Sequence, residues 1–164
     1  MADVWSVAPA PVGTEEGSVA SSIPKSAVEI QGLEYDWLGC DSVGCVALFS
    51  TAGAGYAPAE FLRDTEAHDA AIQALLALPV RTEARFFPEV AAGLVNTWQL
   101  AAERGLFAYD STPTGGPYRL VAAPLVPART SELPLAVADV ATRVRCRTEF
   151  GSQTVVTQEL LAPS

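Results

Sequence analysis

The stretch at residues 34–58 constrains the fold most strongly, because it has the pattern of two short strands joined by a tight turn. The tetrapeptide Asp41-Ser42-Val43-Gly44 has the composition of a type I turn, in which the aspartate accepts backbone hydrogen bonds and the glycine adopts a positive φ. With the glycine as a bulge, this turn predicts a hairpin in which Trp37 faces Phe49. Both faces of the hairpin are apolar, so we expect it to lie in the interior of a sheet.

The same register places Cys40 and Cys45 on opposite faces of the hairpin, while Cys146 is far away in the sequence. We therefore predict three free thiols and no disulfide between the two hairpin cysteines. A zinc site would need a fourth ligand with suitable spacing, and His68 is the only histidine in the chain. We predict no metal site and no cofactor.

The rest of the chain predicts one α+β domain at residues 27–164, preceded by an irregular N-terminal arm at residues 1–26. The domain would contain a mostly antiparallel sheet with two main helices and a short third helix packed on it. The predicted helices are residues 64–78, 89–104 and 135–142. Outside the hairpin, the predicted strands are residues 27–33, 106–110, 118–123, 143–150 and 154–158.

Two details of the helices bear on function. Asp64 is a suitable N-cap for the first helix, and His68 follows among acidic residues, so we expect His68 to be exposed rather than a ligand or a base. Trp98 lies in the middle of the apolar stripe of the second helix, and Gly105 has the position of a left-handed residue that ends it.

Charge is distributed unevenly along the chain. The formal net charge is −9 at pH 7, and residues 1–80, with 11 acids and 2 bases, carry all of it. Residues 81–164 hold 8 of each sign. An acidic surface repels nucleic acid and attracts basic partners, although it can also serve only to keep a protein soluble. No apolar run approaches the ~20 residues of a membrane span, and the N-terminus has no pattern typical of a secretory signal, so we expect a cytoplasmic protein.

No segment carries a catalytic signature. There is no G-x-S-x-G motif, and a catalytic triad would have to use His68. The chain is therefore predicted not to be an enzyme. Three weaker possibilities stay open: Glu34 and Asp36 as an acid–base pair, a small-molecule pocket near the glycines at residues 53–55, and phosphate contacts by the arginines at positions 143, 145 and 147.

The runs EYDWLGCDSVGCVALFSTAGAG, AAERGLFAYD and GPYRLVAAPLVP resemble a group of small bacterial proteins associated with immunity to secreted antibacterial toxins. The resemblance implies a cytosolic protein that binds and neutralises a cognate toxin, and its motifs are structural rather than catalytic. If the toxin is basic, we expect it to contact acids of the first half of the chain. The candidates are Glu34, Asp36, Asp41, Asp64, Glu66 and Asp69. The alternative is a small-molecule-binding or regulatory module without catalysis.

Overall fold

The structure is a computed structural model, and it describes residues 22–87 and 96–161. The fold is α+β, as predicted from the sequence. The helices are α1 (Ala27–Ile30), α2 (Ala59–Leu62), α3 (Thr65–Leu76), α4 (Thr97–Ala102), α5 (Leu135–Thr142) and α6 (Gln158–Leu161). The strands are β1 (Asp36–Cys40), β2 (Val46–Ser50), β3 (Ala84–Phe86), β4 (Phe107–Asp110), β5 (Tyr118–Pro124) and β6 (Val155–Val156).

The six strands form one mixed sheet in the order β1-β2-β4-β5-β3, with β6 paired to β5 beside β3. The sheet is mostly antiparallel, as predicted, but β2 and β4 run parallel. A parallel pair needs a long crossover, and here the crossover contains α2, α3, β3 and α4. This pairing decides where the candidate functional site lies.

The predicted hairpin is confirmed in its register. Trp37 pairs with Phe49 and Cys40 with Val46, and Gly44 has a φ of +89° in the connecting turn. All three cysteines are free, as expected. The interior position is confirmed only for β2, because β1 is the end strand of the sheet. The backbone of the segment after α5 covers one end of β1, where the Cys40 amide donates to the carbonyl of Val144 at 2.9 Å.

The core has two parts, one on each face of the sheet. On one face, the rings of Trp37, Phe49 and Tyr109 stack across β1, β2 and β4, with centroid distances of 4.1 and 5.2 Å. The edge-on ring of Tyr118 on β5 lies against the first two. On the other face, aliphatic residues of the hairpin pack against α3 and α5. Leu38, Val46 and Leu48 belong to this second part, which confirms the predicted division of the hairpin into two faces.

The predicted first strand at residues 27–33 is wrong, because this segment begins with α1. Ser26 caps the helix: its hydroxyl accepts from the Glu29 amide, and the Glu29 carboxylate accepts from the Ser26 amide at 2.6 Å. This reciprocal capping box is a local signal for a helix, and it outweighs the strand propensity of the valine and isoleucine that follow.

The predicted strand at residues 143–150 is also wrong. Its alternation of buried and exposed residues is real, with Val144, Cys146 and Phe150 in the aromatic part of the core. The segment nevertheless forms only an isolated bridge to β1, between Cys40 and Arg145, and then a 3-10 turn at Phe150–Ser152. Because β1 ends at Cys40, the segment has no continuing strand with which to form a ladder.

The helix predicted at residues 89–104 is shorter than expected at its N-terminal end. Asn96 has extended backbone angles and caps α4 by accepting from the Gln99 amide, so the helix begins at Thr97. The expected start at residue 89 lies outside the described residues. Trp98 is therefore in the first turn and only half-buried, although Gly105 has the expected positive φ of +95°. The third helix, α5, has the predicted bounds.

Candidate functional site

The candidate site lies where three strands bring polar residues side by side at one end of the sheet. Ser50 is the last residue of β2, and its neighbours are Asp36 at the start of antiparallel β1 and Asp110 at the end of parallel β4. Carboxyl ends of parallel strands are a frequent location for binding sites in sheets. The topology therefore places two carboxylates on either side of one serine.

Ser50 connects this strand end to α4. Its hydroxyl donates to Asp36 Oδ1 at 2.6 Å and accepts from Trp98 Nε1 at 3.1 Å. One hydroxyl can make both bonds, because it donates in the first and accepts in the second. It thereby holds the half-buried carboxylate of Asp36 and the half-buried indole of Trp98 in fixed positions. The other oxygen of Asp36 has no protein donor among the described residues.

Two neighbouring depressions share Glu34 and Asp36. The first has a volume of about 370 Å³ and lies between the start of β1 and α3; Glu66, Asp69 and Lys25 also line it. The second has a volume of about 410 Å³ and lies between the strand ends and α4, with Asp110 and Trp98 in its wall. We call their five acids, Glu34, Asp36, Glu66, Asp69 and Asp110, the acidic face.

Two carboxyl groups of the acidic face, those of Asp36 and Asp110, have a raised pKa. Burial raises the pKa of Asp36, and the nearby charges of Glu34 and Asp69 raise it further, against the opposing effect of the Ser50 hydrogen bond. Burial raises the pKa of Asp110 to about 6, with contributions from Glu34 and Asp36, although the Ser111 amide opposes the shift. Neighbouring carboxylates favour the binding of a cationic ligand or of a proton, because either reduces the repulsion between them.

Four of the six candidate acids thus lie together. Lys25 is the basic residue among those that line the first depression, and its ammonium group donates to the hydroxyl of Thr65 at 3.0 Å. A cationic side chain entering either depression would meet several carboxylates.

Asp41 was expected to be a contact residue, but the structure places it elsewhere and in another role. It is only 3% exposed, and it lies at the opposite end of β1 from Asp36, ~17 Å away along an extended strand. Its Oδ1 accepts from the amides of Val43 and Cys45, and its Oδ2 accepts from the amide of Phe150 at 2.9 Å. Asp41 is a structural carboxylate that ties the hairpin turn to the C-terminal segment.

Asp64 is likewise engaged within the protein. It is the N-cap of α3, as predicted, and accepts from the Ala67 amide at 3.0 Å. Its second oxygen lies 3.4 Å from the Arg143 guanidinium. The Ser22 hydroxyl, followed by the Ala67 amide and Arg143, holds the pKa of Asp64 below its ordinary value. It does not line either depression of the acidic face.

The glycine-rich turn at residues 53–55 has a depression beside it, but its backbone does not form a phosphate cradle. The depression has a volume of about 300 Å³ and is lined by residues of α1 and the turn. The amides of Ala54 and Gly55 both donate to the Thr51 carbonyl, so they are not free for an anion. A Cβ on Gly55 would lie 2.7 Å from the Cβ of Ser111, which shows that this glycine is required by close packing.

Two of the three arginines in the predicted basic strand make contacts within the protein. Arg143 pairs with Asp139 at 2.8 Å as well as with Asp64, and the Arg147 guanidinium donates to the carbonyl of Glu159.

Within residues 22–87 and 96–161, no group of three or more potential ligands has the geometry of a metal site. In the same part of the chain, every helix is too short or too polar to cross a membrane.

Sequence reasoning missed Asp110 and the role of Trp98. Residue 110 was correctly placed at the end of a strand, but only the parallel pairing of β4 with β2 brings it to Asp36.

Comparison of the chain with protein-family models, curated proteins and solved structures found no match.

Proposed function

We propose that this protein is an immunity protein that neutralises a cognate bacterial toxin by binding it through the acidic face. The observation that supports the proposal most directly is the clustering of Glu34, Asp36, Glu66, Asp69 and Asp110 around two joined depressions. The proposed partner is a protein toxin with a basic surface rather than a nucleic acid, and the proposed setting is the bacterial cytosol, as the sequence resemblance implies.

The electrostatics of the face favour a cationic partner. Exposed acids such as Glu66 and Asp69 would mainly accelerate encounter, while truncating a desolvated carboxylate at the centre of an interface costs about 2–5 kcal/mol. Asp36 has the position of such a central residue, because it is half-buried, lines both depressions and is fixed by Ser50. A guanidinium or ammonium group placed there would stabilise the ionised forms of Asp36 and Asp110, whose pKa burial raises and the neighbouring acids raise further.

The first experiment is co-purification with the product of the gene next to this protein's own gene, where a cognate toxin would be encoded. Binding measurements on charge variants then follow. A double variant E66K/D69K should lower the association rate strongly and reduce its salt dependence. The matched control is E83K/E149K, which makes the same change in net charge at two exposed acids outside both depressions. Equal effects of the two double variants on affinity and salt dependence would refute the acidic face as the contact surface.

The pH dependence of binding provides a second, independent test. The Asp110 carboxyl, whose pKa burial raises to about 6, is partly protonated near pH 6, whereas a bound cation favours its ionised form. Affinity should therefore increase as pH rises from about 5 to about 7, and this increase should be smaller in D110N. An identical pH dependence in D110N and the unmodified protein would remove Asp110 from the interface.

The depression beside the glycine turn supports a second candidate function, a small-molecule-binding or regulatory module. Its volume of about 300 Å³ is at the lower end of the range for ligand pockets, and its lining includes Val28, Ile30 and Tyr56. A thermal-shift screen with small apolar compounds tests this alternative. A27L, which enlarges an exposed helical side chain in the lining, should abolish any stabilisation that such a compound produces.

A further inference from the structure

His68 is a buried titratable group that the proposed function does not use. It lies in the second turn of α3 and is 0% exposed. Its Nδ1 accepts a hydrogen bond of 3.0 Å from the backbone amide of Leu38 in β1. A ring nitrogen that accepts from an N–H group cannot itself carry a proton, so the imidazole is neutral and its proton is on Nε2.

The surroundings of His68 offer little to stabilise a second proton. The ring of Phe61 in α2 stands perpendicular to the imidazole at a centroid distance of 5.1 Å. The nearby charges are Arg143, just after α5, and Asp64, just before α3, and these two residues pair with each other. Nε2 has no hydrogen-bond partner within the described part of the chain. Protonation of Nδ1 would therefore set two N–H groups against each other in an apolar site.

We propose that His68 is an acid-sensitive latch that holds α3 against β1 while it is neutral and releases it when protonated. Leu38 lies in the middle of β1, and the hydrogen bond to its amide joins the helix directly to that strand. Glu66 and Asp69 are on α3, whereas Asp36 begins β1, so release would also separate the two sides of the first depression. That consequence for a partner rests on the proposed function, but the latch itself does not.

Lowering the pH should favour the released state, because the latched imidazole binds a proton more weakly than the released one. Burial, with a smaller contribution from Arg143 and against the opposing effect of Asp64, lowers the pKa of His68 from 6.5 to about 4. The released imidazole therefore binds protons more strongly than the latched one. The latch stabilises the contact between α3 and β1 fully above pH ~6.5. As pH falls towards 4 this stabilisation is lost, and the equilibrium constant for opening increases by up to roughly 300-fold.

The decisive experiment is an NMR titration of the unmodified protein, in which the single histidine makes the imidazole signal unambiguous. We expect the ring to titrate below pH ~5, and we expect hydrogen-exchange protection at the Leu38 amide and in α3 to fall progressively as pH drops below ~6.5. The Phe49 amide, in the interior strand β2, should stay protected. Titration near the ordinary value of ~6.5 with Leu38 still protected would overturn the proposal. Simultaneous loss of protection at Phe49 and Leu38 would also overturn it.

H68N is the matched variant, because the asparagine Oδ1 can accept from the Leu38 amide at nearly the position of Nδ1 but does not titrate. After correction for intrinsic exchange rates, protection of Leu38 in H68N should be constant between about pH 7 and pH 4.5. Carboxylates common to both proteins cancel in this comparison. The same acid-induced loss in H68N as in the unmodified protein would show that His68 is not the latch. If H68N does not fold, the titration of the unmodified protein still decides the question.

Discussion

Replacing Asp41 should destabilise the protein more than replacing any acid of the acidic face. Its two oxygens accept from three backbone amides, those of Val43, Cys45 and Phe150, at 3.0, 2.8 and 2.9 Å. The first two belong to the turn that sets the hairpin register, and the third belongs to the segment that carries Phe150 into the aromatic core. A single carboxylate therefore joins two regions that are 109 residues apart in sequence.

The magnitude can be estimated from these three bonds. In D41A the turn amides can be rehydrated in part, because Val43 is exposed and Cys45 is half-buried, so each bond contributes about 1 kcal/mol. The Phe150 amide is at a buried site, and leaving such a donor without a partner costs about 1–3 kcal/mol. We expect a total loss of about 3–5 kcal/mol in D41A. D41N, which keeps one acceptor oxygen for the turn but loses the second, should lose about 2–3 kcal/mol.

The assay is urea denaturation followed by tryptophan fluorescence, with hydrogen exchange at the Phe150 amide as a local readout. S42A is a suitable control, since the exposed Ser42 hydroxyl makes only one bond, to the Thr148 carbonyl at 3.2 Å, and its loss should cost less than about 1 kcal/mol. A loss below about 1 kcal/mol in D41A, or unchanged exchange at Phe150, would refute the structural role of this carboxylate.

Three further predictions follow from packing and charge. G55A should cost about 1–3 kcal/mol in chemical denaturation, since its Cβ would lie 2.7 Å from that of Ser111, whereas G151A, where the nearest atom is at 3.8 Å, should cost clearly less. W98A should cost about 1–3 kcal/mol rather than the ~3–5 kcal/mol of a fully buried aromatic, and a larger loss would contradict its half-buried position. D110N should stabilise the protein by ~1 kcal/mol at pH 7, after allowance for solvent screening, because the folded-state pKa of Asp110 is raised to about 6. This gain should diminish as pH falls below about 6 and vanish near pH 3, where the carboxyl is protonated in both states, and urea titrations at several pH values test it.

Features that depend on neighbouring residues could be predicted from the sequence. The Asp41–Gly44 turn is a local motif whose hydrogen bonds and positive φ specify the hairpin and therefore the stacking of Trp37 on Phe49. The Asp64 cap and the bounds of α5 are local in the same way. The capping box at Ser26 was equally local, and its pattern S-x-x-E was present in the sequence, so the mistaken strand there was avoidable.

Which acids come together and which are buried depends on contacts between segments that are far apart in the sequence. The parallel pairing of β2 with β4 joins segments about 60 residues apart, and no local signal specifies it, yet it brings Asp110 beside Asp36. His68 was expected at the surface because acids surround it in the sequence, but the helix turns its ring towards Leu38 of β1. A count of charges along the sequence does not distinguish Asp41 from Asp36. The amide of Phe150, supplied from the far end of the chain, makes one carboxylate structural and leaves the other on the acidic face.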